Sequence, residues 1–186
     1  MLTGTTGKQA NRFYSIGHST RAQSEFIELL KQNGVTCLVD VRTMPRSRHN
    51  PQFNQDVLEV ALNNADIKYM RFESLAGFRG KRRDIDSNVN GFWQNQSFHN
   101  YADYALTGEF ETGLLNLVEI GEKETCAMMC AEVVWWRCHR RIITDYLLAI
   151  GAKVYHIIDD NEPKIAKRTP AAKKLKNGGL VYGEEM

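Results

Sequence analysis

The sequence predicts an α/β fold, namely a single three-layer α/β/α domain whose mostly parallel sheet has about five strands. Two observations lead to this prediction. Short apolar runs rich in β-branched residues alternate with longer segments whose apolar residues recur at helical spacing, a pattern typical of a parallel sheet with helices on both faces. The length of 186 residues also suits one domain with a full hydrophobic core.

The first half of the chain contains two strand–helix units and a third strand. RFYSIGHST is predicted to be a strand ending in a Gly-His-Ser turn, and the helical stripe after it stops at Gly34, which suits a helix C-terminus. The apolar run VTCLVDVR is too short for a helix, so we expect a strand covered on both faces. A basic loop with two prolines then leads to the helix NQDVLEVALNNADI and the strand IKYMRF.

The second half begins with residues 73–100, which show no sustained period and are predicted to be a long functional or mobile loop. Two helices, around SFHNYADYAL and EFETGLLNLVEIG, lead to the strand TCAMMCAE. CHRRIITDYLLAIG is a further amphipathic helix, and KVYHIID is the last strand. The predicted boundaries are therefore a flexible N-terminus over 1–12, the domain over 13–160 and a basic C-terminal tail over 161–186.

This tail carries six basic residues against the single acidic Glu162 between positions 161 and 176. We expect a solvated, partly disordered terminus, because no aromatic residue interleaves with the charges before Tyr182. An arm that follows phosphates is the alternative. The basic residues are Lys164, Lys167, Arg168, Lys173, Lys174 and Lys176.

Composition narrows the function classes. The 24 basic and 22 acidic residues leave a formal charge of +2. This net charge is too small for a dedicated nucleic-acid binder, whose composition is strongly basic. No apolar run is long enough to span a membrane and the start of the chain has no secretory signal, so we expect a cytoplasmic protein without a membrane partner. Four cysteines, three of them crowded together, do not resemble the disulfide framework of a small secreted domain, so we expect reduced thiols.

The residues most capable of chemistry follow the ends of predicted strands. In open parallel sheets ligands bind beyond the carboxyl ends of the strands, so we expect these side chains to share one rim. They are His18 and Ser19 after the first strand, Asp40 and Arg42 on the second, Cys130 and Glu132 on the fourth, and Cys138, His139 and Arg140 at the start of the helix that follows.

Cys138 is the leading candidate nucleophile. A helix N-terminus stabilises a thiolate and can lower a cysteine pKa to between about 3.5 and 7.5; Arg137, His139 and Arg140 would act in the same direction. Glu132 or His139 would carry the proton. Ordinary phosphatase or sulfur-transferase chemistry is disfavoured, because the loop EVVWWR lacks the glycines that let backbone N–H groups surround an anion.

Two other uses of the cysteines remain open. Cys130 and Cys138 could meet as a redox pair. A zinc site using Cys126, Cys130, Cys138 and His139 is less favoured, because the spacing contains no C-x2-C pair. No cofactor is therefore predicted, and the set Cys130, Cys138 and His139 is kept as the metal alternative. Cys37 and Cys126 lie within strand patterns and are expected to be core residues.

Binding of the substrate is predicted to involve arginines and a tryptophan. Arg42 and Arg140 would hold a phosphate or carboxylate, although Asp40 and Arg42 share one face of a strand and could simply pair with each other. Of Trp135 and Trp136, one is expected to cover the core and the other, with Trp136 as the candidate, to be a stacking platform. A basic and aromatic loop could assist; it contains Arg79, Lys81, Arg82, Arg83, Phe78, Phe92, Trp93 and Phe98.

The motifs YSIGHST, LVDVR with the following P-R-S and F, and CAEVVWWRCHRRIITDYL resemble the bacterial and archaeal family called Domain of Unknown Function 488, over about Phe13 to Asp159. The resemblance supplies no reaction and implies an enzymatic role only through the cysteines. It implies that the hallmark of the family is formed by Cys130, Glu132, Cys138, His139 and Arg140, with His18, Ser19, Asp40 and Arg42 as further motif positions.

The sequence thus predicts an intracellular cysteine-dependent enzyme, of the thiol hydrolase or transferase kind, acting on a phosphate-bearing substrate such as a nucleotide or nucleic-acid component. One alternative is a noncatalytic nucleic-acid binding module that uses residues 77–98 and the tail. The other is a structural metal-binding protein.

Overall fold

The computed structural model of the protein describes residues 11–183. Its main sheet contains six strands: β1 Arg12–Gly17, β2 Cys37–Asp40, β3 Lys68–Arg71, β4 Cys126–Cys130, β5 Lys153–Ile157 and β6 Lys164–Ile165. Their order across the sheet is β3-β2-β4-β1-β5-β6. β1 to β5 are parallel to their neighbours and β6 is antiparallel. The prediction of an α/β domain with a mostly parallel sheet is confirmed.

Five helices cover the sheet: α1 Gln23–Gln32, α2 Gln55–Asn63, α3 Gln96–Tyr104, α4 Gly108–Gly121 and α5 Arg140–Ala149. Local signals fix their ends. The Thr107 hydroxyl accepts a hydrogen bond from the Phe110 N–H at the start of α4, and Gly34 follows α1 with φ of 64°, a backbone conformation that favours glycine. No helix within residues 11–183 is both long and apolar enough to cross a membrane.

Alternating strand residues build two core layers, one on each face of the sheet. Phe13, Val39 and Met128 belong to the layer that includes apolar residues of α3, α4 and α5. Leu38 and Met129 belong to the layer formed with α1 and α2. The strands are therefore buried on both faces, which explains why they appear in the sequence as continuous apolar runs.

The C-terminal segment differs from the expected solvated tail. β6 pairs with β5, and two further strands, β7 Ala172–Lys174 and β8 Leu180–Tyr182, form a hairpin. Leu180 and Tyr182 are fully buried in the same layer as α5, and the Tyr182 hydroxyl donates to the Asp145 carboxylate at 3.1 Å. The expectation of a partly disordered tail is wrong as far as residue 183, because these apolar side chains complete the core and leave the basic ones in solvent.

The proposed flexible N-terminus falls mostly outside the described residues, since these begin at Asn11 and Arg12 already belongs to β1. The long segment after β3 has little regular structure before α3, as predicted, but it is anchored. The buried Asn90 side chain donates to Asp103 at 2.8 Å and accepts from the Tyr182 N–H at 3.0 Å. This segment and β8 therefore hold each other in place over α3.

We predict that Tyr182→Ala lowers the free energy of unfolding by about 3 to 5 kcal/mol, the usual cost of removing a buried aromatic ring. Urea denaturation followed by circular dichroism measures this change. Lys176→Ala is the matched control, since this exposed lysine lies in the same segment and its loss should change stability by no more than about 0.5 kcal/mol. Equal stabilities of the two variants would mean that β8 is not part of the cooperative unit.

Candidate active site

The carboxyl ends of β1, β2 and β4 meet at one rim. The His18 N–H donates to the Cys130 carbonyl at 3.0 Å and the Ser19 N–H donates to the Ala131 carbonyl at 2.9 Å, so the chain segments after β1 and β4 run side by side. A Cβ placed on Gly17 would lie 1.9 Å from the Glu132 carbonyl oxygen. Only glycine permits this close approach, which brings together the chain segments that follow β1 and β4.

Cys130, Cys138 and His139 form a compact cluster at this rim. Their two sulfurs and one imidazole nitrogen all lie within 4.8 Å of one another. The Cys138 sulfur is 3.5 Å from His139 Nδ1, and the Cys130 and Cys138 sulfurs lie within 4.8 Å of each other. Cys126 is excluded from this cluster, because it stands at the opposite end of β4, four residues or about 13 Å away. Cys126 and Cys37 are fully buried, as expected of core residues.

Arg140 places a buried positive charge against the Cys138 sulfur. Its guanidinium is fully buried and donates through Nε to the sulfur at 3.2 Å. The other nitrogens donate to the Ser15 hydroxyl at 3.0 Å and to the Glu132 carbonyl. All three partners of Arg140 are groups of the protein itself, and its predicted contact with a substrate stays a prediction.

His139 is fixed in both orientation and tautomer. Its Nε2 lies 3.0 Å from the Val41 carbonyl oxygen, and since a carbonyl only accepts, Nε2 carries a proton. Nδ1 therefore faces Cys138 and can exchange a proton with the sulfur. A Cβ on Gly77 would lie 2.2 Å from Nδ1, so this position must be glycine, and the Tyr101 ring packs on the imidazole at 4.9 Å between centroids.

The two sulfurs behave as one titrating unit that shares a proton. Burial opposes ionisation of Cys138, yet the hydrogen bond from Cys130 and the charges of Arg140 and His139 outweigh it and hold the Cys138 pKa well below its usual range. The hydrogen bond to Cys138, together with burial, raises the pKa of Cys130. Cys138 is therefore the sulfur that ionises more readily, and Cys130 the one that keeps its proton more readily.

Glu132 and Arg137 are the exposed charges at the cluster. A pocket of about 150 Å³ contains Cys130, Cys138 and His139 in its wall together with Glu132 and Arg137. A neighbouring pocket of about 300 Å³ shares Glu132 and Arg137 and extends over His18, Ser19, Thr20 and Asn50. Among residues 11–183 no side chain forms an ion pair with Glu132 or Arg137, so both charges are open to a molecule that enters either pocket.

Arg137 and Gly77 are the site residues that reasoning from the sequence missed. Arg137 was assigned only an influence on the Cys138 pKa, whereas it is the guanidinium that lines both pockets. Its position in the sequence, between the candidate stacking residue Trp136 and the candidate nucleophile Cys138, could have indicated that Arg137 belongs to the site. Gly77 gave no signal, because its contact with His139 joins residues far apart in the sequence.

Asp40 and Arg42 pair with each other rather than facing a ligand. Arg42 donates from Nε and from its backbone N–H to the Asp40 carboxylate at 2.9 Å, and the Tyr69 hydroxyl donates to the same carboxylate at 2.7 Å. Both members of the pair are buried. Arg42 also donates to the Phe53 carbonyl at 2.9 Å. The predicted binding role is revised, because these groups already have partners inside the protein and form the floor of the rim.

His18 and Ser19 form one end of the larger pocket. His18 is buried and stacks on Phe53 at 4.3 Å between centroids. Burial, with the nearby charge of Arg42, lowers its pKa to about 4, so its ring is neutral at pH 7, with Nδ1 donating to the Ser19 carbonyl at 2.8 Å. Ser19 is held with φ of 49° and is half-exposed, which turns it towards the pocket.

The two tryptophans have separate roles. The Trp135 ring stacks on His156 of β5 at 4.4 Å with nearly parallel planes, so Trp135 covers the core. Trp136 is 45% exposed and meets Trp135 edge to face. Trp136 is therefore the ring available to a ligand. Both ring nitrogens of the buried His156 lack a hydrogen-bond partner among the described residues.

We predict that His156 makes the protein less stable in acid. Burial lowers its pKa from 6.5 to about 3, so the folded state favours the neutral ring, and stability present above pH 6.5 is lost as the pH falls towards 3. The nonpolar His156→Phe variant should lose about 3 kcal/mol less stability than the wild type between pH 7.5 and 4.5, measured by urea denaturation.

The control for this measurement is His49→Gln, since His49 is exposed and its replacement should leave the pH dependence unchanged. An equal loss of stability in His156→Phe and the wild type would contradict the assignment of this acid sensitivity to His156.

Comparison with known proteins identifies the family. No curated protein and no solved structure matches the chain. The model of the family described as "Domain of unknown function DUF488" matches residues 22–147, a range that holds Cys130, Cys138 and Arg137. The match covers well over half of the chain and confirms the resemblance found in its motifs. The chain therefore belongs to the DUF488 family.

Proposed function

We propose that this protein is a thiol-dependent enzyme in which the Cys138 thiolate attacks a phosphate-bearing substrate. One observation carries the proposal. The buried guanidinium of Arg140 has three hydrogen-bond acceptors, namely the Cys138 sulfur, the Ser15 hydroxyl and the Glu132 carbonyl. Only the sulfur among them can hold a negative charge. Because a buried cation is costly without an anion, Arg140 favours the thiolate, which is the reactive form of cysteine.

The surroundings of Cys138 supply a complete proton circuit for transfer or hydrolysis. When Cys138 is the thiolate its proton lies on His139 Nδ1, and the thiolate forms a bond to the electrophilic centre as the bond to the leaving group breaks. The His139 imidazolium returns its proton to the leaving group. A water molecule then displaces the sulfur as the thiolate while the exposed carboxylate of Glu132 takes the proton of the water. Glu132 releases this proton to solvent and His139 takes one up from solvent, which restores the starting state. No oxidant or reductant is needed.

Arg137 is the group best placed to bind a phosphate. It is exposed, it lines both pockets, and no carboxylate pairs with it among residues 11–183. A guanidinium without a partner matches the geometry of phosphate oxygens. The larger pocket then accommodates the rest of the substrate, with Ser19 and Asn50 as polar contacts and Trp136 as a stacking surface beside Arg137.

We predict that Cys138 is alkylated by iodoacetamide with a midpoint well below pH 8.5, the usual value for cysteine, as measured on each cysteine by peptide mass spectrometry. Inorganic phosphate and adenosine 5′-monophosphate should slow this alkylation in the wild type. The Arg137→Met variant should lose the protection, because it lacks the cation that holds the anion.

Arg168→Met is the matched control, since this exposed arginine lies in the C-terminal segment and should leave the protection intact. A Cys138 that titrates like a free thiol, or that does not react, would refute its role as nucleophile. Oxidation to a Cys130–Cys138 disulfide during the reaction would favour the redox pair instead.

A bound metal ion is the second candidate function, favoured by the distances within the cluster. Tetrahedral zinc with bonds of about 2.3 Å to sulfur and about 2.0 Å to nitrogen places these atoms about 3.5 Å apart, the separation of the Cys138 sulfur and His139 Nδ1. The His139 Nε2 contact with the Val41 carbonyl is the outer hydrogen bond usual for a metal-bound imidazole. Cys130, Cys138 and His139 would hold the ion and leave its fourth position facing the pocket.

Metal analysis separates the two candidates. A thiol enzyme predicts less than about 0.1 equivalents of zinc, iron or copper in protein purified without chelator, and unchanged stability in EDTA. About one equivalent of zinc in the wild type, lost in Cys130→Ser but kept in the core variant Cys126→Ala, would establish the metal centre instead.

A further inference from the structure

We propose that the substrate is a nucleotide unit within a single-stranded nucleic acid rather than a free nucleotide. This inference rests on the proposed function insofar as it takes the two pockets to bind a phosphate-bearing molecule. It adds a surface outside the pockets, which we call the basic rim: residues 43–50, residues 77–83, and Trp136 with Arg137.

The basic rim is continuous around the pockets. Asn50, at the end of its first segment, lines the larger pocket, and Gly77, at the start of its second, lines the smaller one. The Phe78 N–H donates to the Thr43 hydroxyl at 2.8 Å, which joins the two segments. A chain that leaves either pocket on this side meets the basic rim.

Five of the seven lysines and arginines of the basic rim lack acidic partners within the described part of the chain. Two arginines of the second segment are neutralised: Arg79 pairs with Glu109 and Arg82 with Asp84. Among residues 11–183 no carboxylate pairs with the remaining five. These are Arg46, Arg48, Lys81, Arg83 and Arg137, and all five are exposed. A formal charge of only +2 for the whole chain makes this concentration a local feature, suited to successive phosphates.

Two exposed rings stand beside the pockets among these cations. Phe78 is 82% exposed and Trp136 is 45% exposed. Each directly follows or precedes a pocket residue, Gly77 and Arg137 respectively. Exposed aromatic rings interspersed with cations are typical of surfaces that stack the bases of single strands. An acidic peptide would use the charges but would leave the two rings without a partner.

The burial of Cys138 favours a single strand over a duplex. The reactive sulfur of Cys138 is only 3% exposed and lies in the wall of a pocket of about 150 Å³. A base stacked inside a duplex cannot reach such an atom, whereas an unstacked nucleotide can enter. Phe78 and Trp136 would then hold the neighbouring bases outside.

The test measures binding of fluorescein-labelled oligonucleotides of about 12 thymidines or uridines by anisotropy, using the full-length chain at about 50 to 200 mM salt. The rim variant replaces Arg46, Arg48, Lys81 and Arg83 by serine. It should bind at least about 10-fold more weakly, and the slope of log K against log salt should fall by about 3, since single strands contribute about 0.7 per phosphate contact. The double variant Phe78→Ala with Trp136→Ala should weaken binding while keeping that slope.

The matched control replaces four exposed cations of the C-terminal segment, Lys167, Arg168, Lys173 and Lys176, by serine, and should bind within about 2-fold of the wild type. Circular dichroism confirms that each variant is folded. The thymidine and uridine oligonucleotides separate a DNA substrate from an RNA substrate, and a duplex of the same length should bind more weakly than either.

Three results would overturn the inference: no oligonucleotide binding, a loss of binding in the C-terminal control rather than in the rim variant, or equal binding of duplex and single strand. If adenosine 5′-monophosphate protects Cys138 but the oligonucleotides do not bind, the substrate is a free nucleotide and the proposed function stands. If the oligonucleotides bind at the basic rim but Cys138 titrates like a free thiol, the nucleophile fails and the binding surface stands.

Discussion

The contact between the buried Arg140 guanidinium and the Cys138 sulfur is the interaction on which the rest of the site depends. The same guanidinium holds Ser15 of β1 and the carbonyl of Glu132 after β4, so it joins two strands to the start of α5. Removing a charge from water costs several kcal/mol unless an anion compensates it. The Cys138 thiolate supplies that anion. The Arg140 guanidinium therefore both connects the chain segments of this rim and favours the ionised form of the sulfur.

Two buried cations lie at this rim, and they are neutralised differently. Arg42 is held by the Asp40 carboxylate and makes a rigid floor under His18, whereas Arg140 is held by a sulfur. Only the second arrangement places a potential nucleophile in the wall of a pocket. Exposed charges then complete the site, because Arg137 and Glu132 face both pockets without internal partners among the described residues. The Cys138 sulfur thus lies at the start of α5, and the segment between β4 and α5 carries Glu132 and Arg137.

Reasoning from the sequence recovered the parallel strands because each is an apolar run buried on both faces, and the positions of the candidate residues followed from the ends of those runs. It failed for β6, β7 and β8, whose two or three residues each are too few to show a period. It also left open whether Arg42 pairs with Asp40 or binds a ligand. The spacing of the two residues allows both, and only their burial in the folded protein distinguishes the two alternatives.

Strand periodicity and motif spacing are local properties of the chain, so they were enough to predict the fold class, the family and most of the residues that meet at the carboxyl ends of the strands. Which of those residues are buried against partners and which are exposed could be seen only in the folded chain. Arg140 is buried against the Cys138 sulfur and Arg42 against Asp40, whereas Arg137 is exposed, although all three are arginines near strand or helix ends. The physical reason is that the role of a charge depends on which distant groups remove it from water, and those contacts exist only after the chain has packed.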